Sequence, residues 1–258
     1  MKKIITLAFA FMLVVSVNAQ TDEEKAAAAR AQANNPIASV TAFNLQSYYS
    51  TNLSGVVDGT SNTYWLRFAT PTGRVLWRYS APFSTYVNKD LGISESGLGD
   101  MDLFAAYLAV SKPKFSFGIG PSVSAPTASA DVLGTGKWTG GLAAVAFAII
   151  SSQLQMGALA IWRTDFAGSS NRADVDIFAV QPFAMFQAGK GLYFRTAPTW
   201  NFNLRNGSYN VPVGFGIGKV IKINDVVCNF FIEPQFSALH NGPNQPLFQL
   251  YSALNMQF

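Results

Sequence analysis

Nine ionisable residues recur on the polar side of an alternating pattern: Arg67, Arg78, Asp100, Asp102, Arg163, Asp174, Asp176, Arg195 and Glu233. Four guanidiniums and five carboxylates placed in this way have two uses. They can pair inside a closed structure, because charges away from water need partners, and so set its register. They can also line a constriction whose mixed charges select polar or ionic solutes. Other chemistry is poorly supplied. The single histidine, His240, stands in the turn sequence Leu239-His240-Asn241-Gly242-Pro243. A hydrolase needs such a base held against a serine or a carboxylate. One histidine and one cysteine, Cys228, build neither a metal centre nor an intramolecular disulfide. No metal and no cofactor are therefore expected, and Cys228 reads as a small apolar filler on a strand. Gly134-Thr135-Gly136-Lys137 suggests a phosphate loop, but Asp131 stands where the first glycine belongs and Trp138 follows the lysine. In Gly214-Phe215-Gly216-Ile217-Gly218 the glycines share the polar side, where they leave room for facing side chains or widen a conduit.

The elements that carry these residues have a period of two. Tyr64, Leu66 and Phe68 alternate with Trp65, Arg67 and Ala69. Val75, Trp77 and Tyr79 alternate with Leu76, Arg78 and Ser80. The same reading predicts strands at 40–50, 62–69, 74–80, 99–110, 115–124, 138–149, 153–163, 173–187, 192–203, 211–217, 226–237 and 250–258. Pro182 falls near the middle of one of them and demands a bulge or a missing ladder bond. Tight turns at 71–73, 111–114, 151–152, 188–190 and 224–225 alternate with longer connections near 51–60, 83–97, 126–136, 164–172, 204–210 and 238–245. Short turns at one end and long loops at the other define an up-and-down antiparallel transmembrane β-barrel of about twelve strands.

Composition agrees with that fold. Charged residues make up 12% of the 258 and apolar residues 49%, whereas a soluble domain carries about 25% charged. Past the N-terminus there is no apolar run of about 18 residues, so a spanning helix is not expected. A closed sheet crosses lipid instead, because only closure satisfies every backbone group there. The soluble alternative, a β-sandwich, would carry many lysines and glutamates on its polar side. Here that side carries Gly, Ser, Asn, Gln and Thr. Aromatics such as Trp77, Tyr79, Trp162, Phe194 and Trp200 fall on the lipid side, several near strand ends.

Residues 1–19 read as a secretory signal: Lys2 and Lys3, an apolar stretch from Ile4 to Val17, and a Val17-Asn18-Ala19 cleavage site. Cleavage after Ala19 leaves sixteen basic and fourteen acidic residues, a net +2. That balance does not argue for nucleic acid. Residues 20–37 form a helical N-terminal segment opened by Thr21-Asp22-Glu23-Glu24, read as a periplasmic lead-in in preference to a piece folded into the lumen. The barrel occupies 38–258. Its expected partners are outer-membrane lipid, the barrel-insertion machinery and a small-molecule substrate.

The stretches NNPIASVTAFNLQ, GLGDMDLFAAYL, FGIGPSVSAPTAS with LGTGKW, MGALAIW and DVDIFAVQPFAMF occur in that order. Together they resemble a bacterial outer-membrane family labelled for the MetA pathway of phenol degradation, or simply as transporters, some of whose members are misnamed neuromedin U. The resemblance spans residues 34–258. Thr139-Gly140-Gly141 departs from it where a Gly-Pro pair is expected. The resemblance implies an outer-membrane channel or transporter for small molecules, hydrophobic or aromatic ones among them. It also implies that the terminal Phe258, in phase with Leu254 and Met256, is the signal for insertion. Two other readings stand beside it: a closed barrel that serves as a structural or surface-interaction protein, and an outer-membrane hydrolase built on His240.

Overall fold

The computed structural model describes Ala33 and residues 35–258. Most of the proposed helical segment, and the signal sequence, lie outside the described residues. The chain forms fifteen strand segments: β1 (Ala42–Leu53), β2 (Thr60–Thr72), β3 (Val75–Asn88), β4 (Ile93–Leu98), β5 (Met101–Lys112), β6 (Phe115–Ala125), β7 (Lys137–Ile149), β8 (Leu154–Gly168), β9 (Asp176–Gly189), β10 (Leu192–Thr196), β11 (Trp200–Asn203), β12 (Tyr209–Gly214), β13 (Gly216–Ile223), β14 (Val226–Asn241) and β15 (Pro246–Gln257). Three pairs of segments are single strands with a break. β4 and β5 both pair with β3, β10 and β11 both pair with β9, and β12 and β13 both pair with β14. The fifteen segments are therefore twelve antiparallel strands. β15 pairs with β1 from Ala42–Gln257 to Leu53–Pro246 and closes the barrel.

Two-residue connections join the strands at one end. Thr72 pairs with Val75, Lys112 with Phe115 and Ile223 with Val226. Gly73 and Asn224 take positive φ (60° and 53°) in two of these turns, the conformation that such hairpins require. The segment near 83–97, expected as an irregular loop, is itself paired. β3 runs on to Asn88, which meets Ile93 of β4 across a short turn. The β-branched and aromatic run Thr85-Tyr86-Val87 prolongs the strand instead of ending it.

Residue parity sorts the wall. Tyr64, Leu66, Phe68, Tyr79, Tyr107, Ile119, Phe194, Ile217, Phe230 and Ile232 are exposed outward. Leu76, Phe104, Ala106, Val145, Phe147, Phe183, Tyr193, Phe231 and Tyr251 are buried inward. Within the lumen Tyr48 stacks on Tyr251 at 4.2 Å, and Phe231 meets Tyr251 edge-on at 4.8 Å. At the tight-turn end Ala33, Asn35, Ile37 and Ala38 are also buried. The Ala33 carbonyl accepts hydrogen bonds from Asn229 Nδ2 (3.5 Å) and Gln257 Nε2 (3.3 Å). The described end of the N-terminal segment thus lies against the lumen wall.

Candidate functional site

The lumen is built from the polar parity of the strands, and the sequence-predicted ions divide into three groups within it. The first group is a closed node. Arg195 on β10 donates from Nε to Glu233 Oε2 on β14 at 2.7 Å. The arginine side chain is 5% exposed and the glutamate 0%. The other carboxylate oxygen accepts from the Ala197 backbone N–H (2.8 Å) and from Gln235 Nε2 (2.9 Å). The Arg195 guanidinium also lies over the Phe231 ring at 3.4 Å.

The position of this node has a cause in the wall. Between β10 and β11, residues 197–199 make no ladder pairs. β9 passes from Ala184–Thr196 to Val180–Trp200 and skips the stretch between. Pro182 stands in the skipped part of β9, Pro198 in the break itself and Pro212 beside the bulge on β12. Proline brings no N–H to a ladder, so Pro182, still paired with Ala158 of β8, donates no bond toward the break at 197–199. In lipid an unmet backbone group costs several kcal/mol. Side chains make up the difference. Glu233 takes the Ala197 N–H, Gln181 Nε2 donates to the Ala197 carbonyl (3.0 Å), and Trp200 Nε1 donates to the Pro212 carbonyl (3.1 Å). Pro182 therefore resolves as a missing ladder bond. The glycine run beside it leaves room for facing side chains: a Cβ on Gly218 would lie 2.2 Å from the Tyr193 ring, and one on Gly216 would lie 2.7 Å from Glu233 Cβ.

The second group is an open patch. Arg67 on β2, Arg78 on β3 and Arg163 on β8 face the lumen. Arg67 pairs in register with Ser80, and Ser80 with Asp102. Arg67 donates from Nη1 to Gln46 Oε1 and lies over Trp65 (4.6 Å), while Arg78 lies over Phe104 (4.1 Å). Arg67 and Arg78 line one lumen cavity, and Asp102 and Arg163 line another. The Nε atoms of all three arginines and Oγ of Ser80 are buried without a hydrogen-bond partner.

The third group sits at the long-loop end. Asp100 occupies the break between β4 and β5 and holds the loop at 126–136. It accepts from the Thr135 backbone N–H (2.6 Å), from Thr135 Oγ1 (2.8 Å) and from the Ala128 N–H (3.3 Å). Arg172 clamps the same loop from the next one, donating to the carbonyls of Asp131, Gly134 and Thr135 and pairing with the Asp131 carboxylate at 3.1 Å. Lys137 meets Asp174 at 3.4 Å and Asp165 at 3.9 Å. Gly134-Thr135-Gly136-Lys137 is thus the foot of a latched loop. Lys137, Asp165 and Arg172 were missed as site residues. Asp165 shares a parity with Arg163, which was the available signal, whereas nothing local marks Arg172.

Two expectations change. Asp176 does not face the lumen. Gln181, Phe183 and Met185 line the lumen from β9, so the even residues of that strand point outward. There Asp176 accepts a hydrogen bond from the outward indole of Trp162 at 2.9 Å. Asp174 lies before β9, half-exposed at the rim, with Lys137. Residues 173–175 are not strand and β9 begins at Asp176, so the period that runs through 173–187 in the sequence does not set the phase there. His240 is exposed near the end of β14. Phe258 follows β15, and its N–H donates to the Thr41 carbonyl (3.0 Å).

Two lumen cavities flank the open patch. One lies toward the tight-turn end, lined by Arg67, Arg78, Arg195, Asn44, Gln181, Ala33, Asn35 and Val40 among others. The second, about 280 Å³, lies under the latched loop, lined by Trp65, Asp102, Arg163, Thr139, Ser124 and Thr135 among others.

No family model and no curated protein matches the sequence. Solved structures do match the fold. The chain is similar to an outer membrane channel from Pseudomonas putida F1 (TM-score 0.61, 17% identity, 85% of this chain and 96% of that one). It is similar to the NanC porin (TM-score 0.52, 11% identity, 84% and 98%). It is also similar to the translocator domain of the autotransporter NalP from Neisseria meningitidis (TM-score 0.50, 12% identity, 94% and 97%). At these identities the comparison speaks to fold: the chain is a porin-like barrel of the outer-membrane type.

Proposed function

We propose that this protein is a passive outer-membrane channel for small polar solutes. The observation that carries the reading is the pair of lumen cavities, each lined by apolar side chains together with arginines and amide or hydroxyl groups. Two structures of similar fold, an outer membrane channel and a porin, support the same reading. The resemblance to the phenol-degradation family supports small-molecule passage, with hydrophobic or aromatic solutes among the candidates. In this reading the latched loop shapes the outer entrance and the segment from Ala33 to Val40 narrows the periplasmic one. Phe258 is the proposed insertion signal.

The test is single-channel conductance of the refolded protein in a planar bilayer, with and without residues 20–36. Steady openings establish an aqueous path, and larger openings on truncation assign the N-terminal segment as a restriction. A silent bilayer from folded, heat-modifiable barrel in both forms overturns the channel reading in favour of a closed surface barrel.

A further inference from the structure

We propose that the chamber of about 280 Å³ under the latched loop binds a small zwitterion, a solute that carries an ammonium and a carboxylate as an α-amino acid does. The inference rests on the channel reading and names the class of solute it passes. Its basis is a pair of opposite charges that share one cavity and do not meet. Asp102 and Arg163 both line the chamber. Among the described residues neither forms a hydrogen bond or an ion pair, and of their polar side-chain atoms only Arg163 Nε is sealed off without a partner. The Asp102 carboxylate and the terminal guanidinium nitrogens of Arg163 are therefore open to the cavity. The other acid on the lining, Asp100, is already taken by Thr135 and Ala128. Arg163 is the one cation on it among the described residues.

The wall keeps the two charges apart. Asp102 is on β5 and Arg163 on β8, with β6 and β7 between them. Neighbouring strands lie about 4.8 Å apart, so three spacings set the two backbones about 14 Å apart along the wall. The residues in register between them are small: Asp102 faces Ser124, Ser124 faces Thr139, and Arg163 faces Gly141. The chamber is the space those small side chains leave. A charge away from bulk water needs a counter-charge or a hydrogen-bond partner. A zwitterion supplies both counter-charges at once. The guanidinium fork takes its carboxylate bidentately, and the Asp102 carboxylate accepts from its ammonium. A solute with one charge leaves the other side chain unmet. A zwitterion also adds no net charge, so its fit does not depend on the sum of the other ions in the lumen. Trp65, Leu133, Val175 and Ile177 complete the lining and offer an apolar wall to the solute's own side chain.

The experiment is isothermal titration of the detergent-refolded protein with L-leucine. The controls are isoamylamine, the same skeleton without the carboxylate, and isocaproate, the same skeleton without the ammonium. Leucine is expected to bind saturably and each control about tenfold more weakly, the range for losing a charge-assisted bond. In Asp102→Asn, which keeps the shape of the side chain, the advantage of leucine over isocaproate should vanish. In Arg163→Gln the advantage over isoamylamine should vanish. Should Arg163→Gln fail to refold, Arg163→Lys keeps the charge but loses the fork, and weaker leucine binding there carries the same meaning. No saturable leucine binding, equal binding of either control, or variants that keep both advantages overturn the site. Conductance measured on the same preparation separates the two claims. A conducting barrel that ignores leucine sinks the zwitterion site and leaves the channel, whereas a silent barrel that binds leucine does the reverse.

Discussion

Arg195 and Arg67 both face the lumen of one barrel, and they are used in opposite ways. Arg195 is bound to a carboxylate that is itself saturated by a backbone N–H and an amide. Among the described residues, Arg67 meets a ring and a neutral amide and Arg78 a ring, and neither they nor Arg163 forms an ion pair. The difference teaches where a charge inside a barrel is structural. It is structural where the wall is incomplete. Three prolines interrupt the ladder around residues 197–199, and Glu233 is drawn there because an unmet N–H in lipid must find an acceptor. Around Arg67 the ladder runs unbroken from β1 through β3, so the wall asks no hydrogen bond of the side chains there.

The contrast can be broken by substitution, and the largest effect is expected at the seam. Glu233→Ala leaves a buried guanidinium and the Ala197 N–H unpaired, which costs about 3–5 kcal/mol. Urea unfolding in vesicles reads the loss directly, and an unchanged midpoint would remove the seam from the account. Next comes Gly218→Ala. Its methyl would meet the Tyr193 ring, and overpacking of that kind costs about 1–3 kcal/mol. Tyr193 Oη donates to Asn229 Oδ1 at 2.6 Å, so the ring cannot swing away freely. Asp100→Ala frees the loop at 126–136 with a local loss of about 1–3 kcal/mol. Limited proteolysis should then cut within that loop while the barrel stays folded. The smallest effect is expected at the patch. Arg163→Gln removes no hydrogen bond or ion pair among the described residues, so stability should move by no more than about 0.5 kcal/mol. A loss comparable to that of Glu233→Ala would show that the two regions are not different in kind.

Much of this was legible beforehand, for reasons visible in particular residues. Tyr64-Trp65-Leu66-Arg67-Phe68-Ala69 alternates because one face meets hydrocarbon and the other a polar interior, and every residue of it stands where the period puts it. Asp176 fails for the opposite reason. It lies at a strand's edge, where the phase is not yet set by two neighbours, and a tryptophan on the next strand claims it from outside. The break at 197–199 was half legible: Pro182 announced a lost bond, but its alignment with Pro198 and Pro212 needed three strands side by side.

By itself the sequence determined the period, the strand number and which parity meets lipid, because these follow from the local geometry of a pleated chain and the absence of backbone partners in hydrocarbon. Only the tertiary structure decided which arginine is paired and which is left open. Pairing depends on side chains brought together from strands far apart in sequence, Arg195 with Glu233 across 38 residues, and on where the wall needs an acceptor.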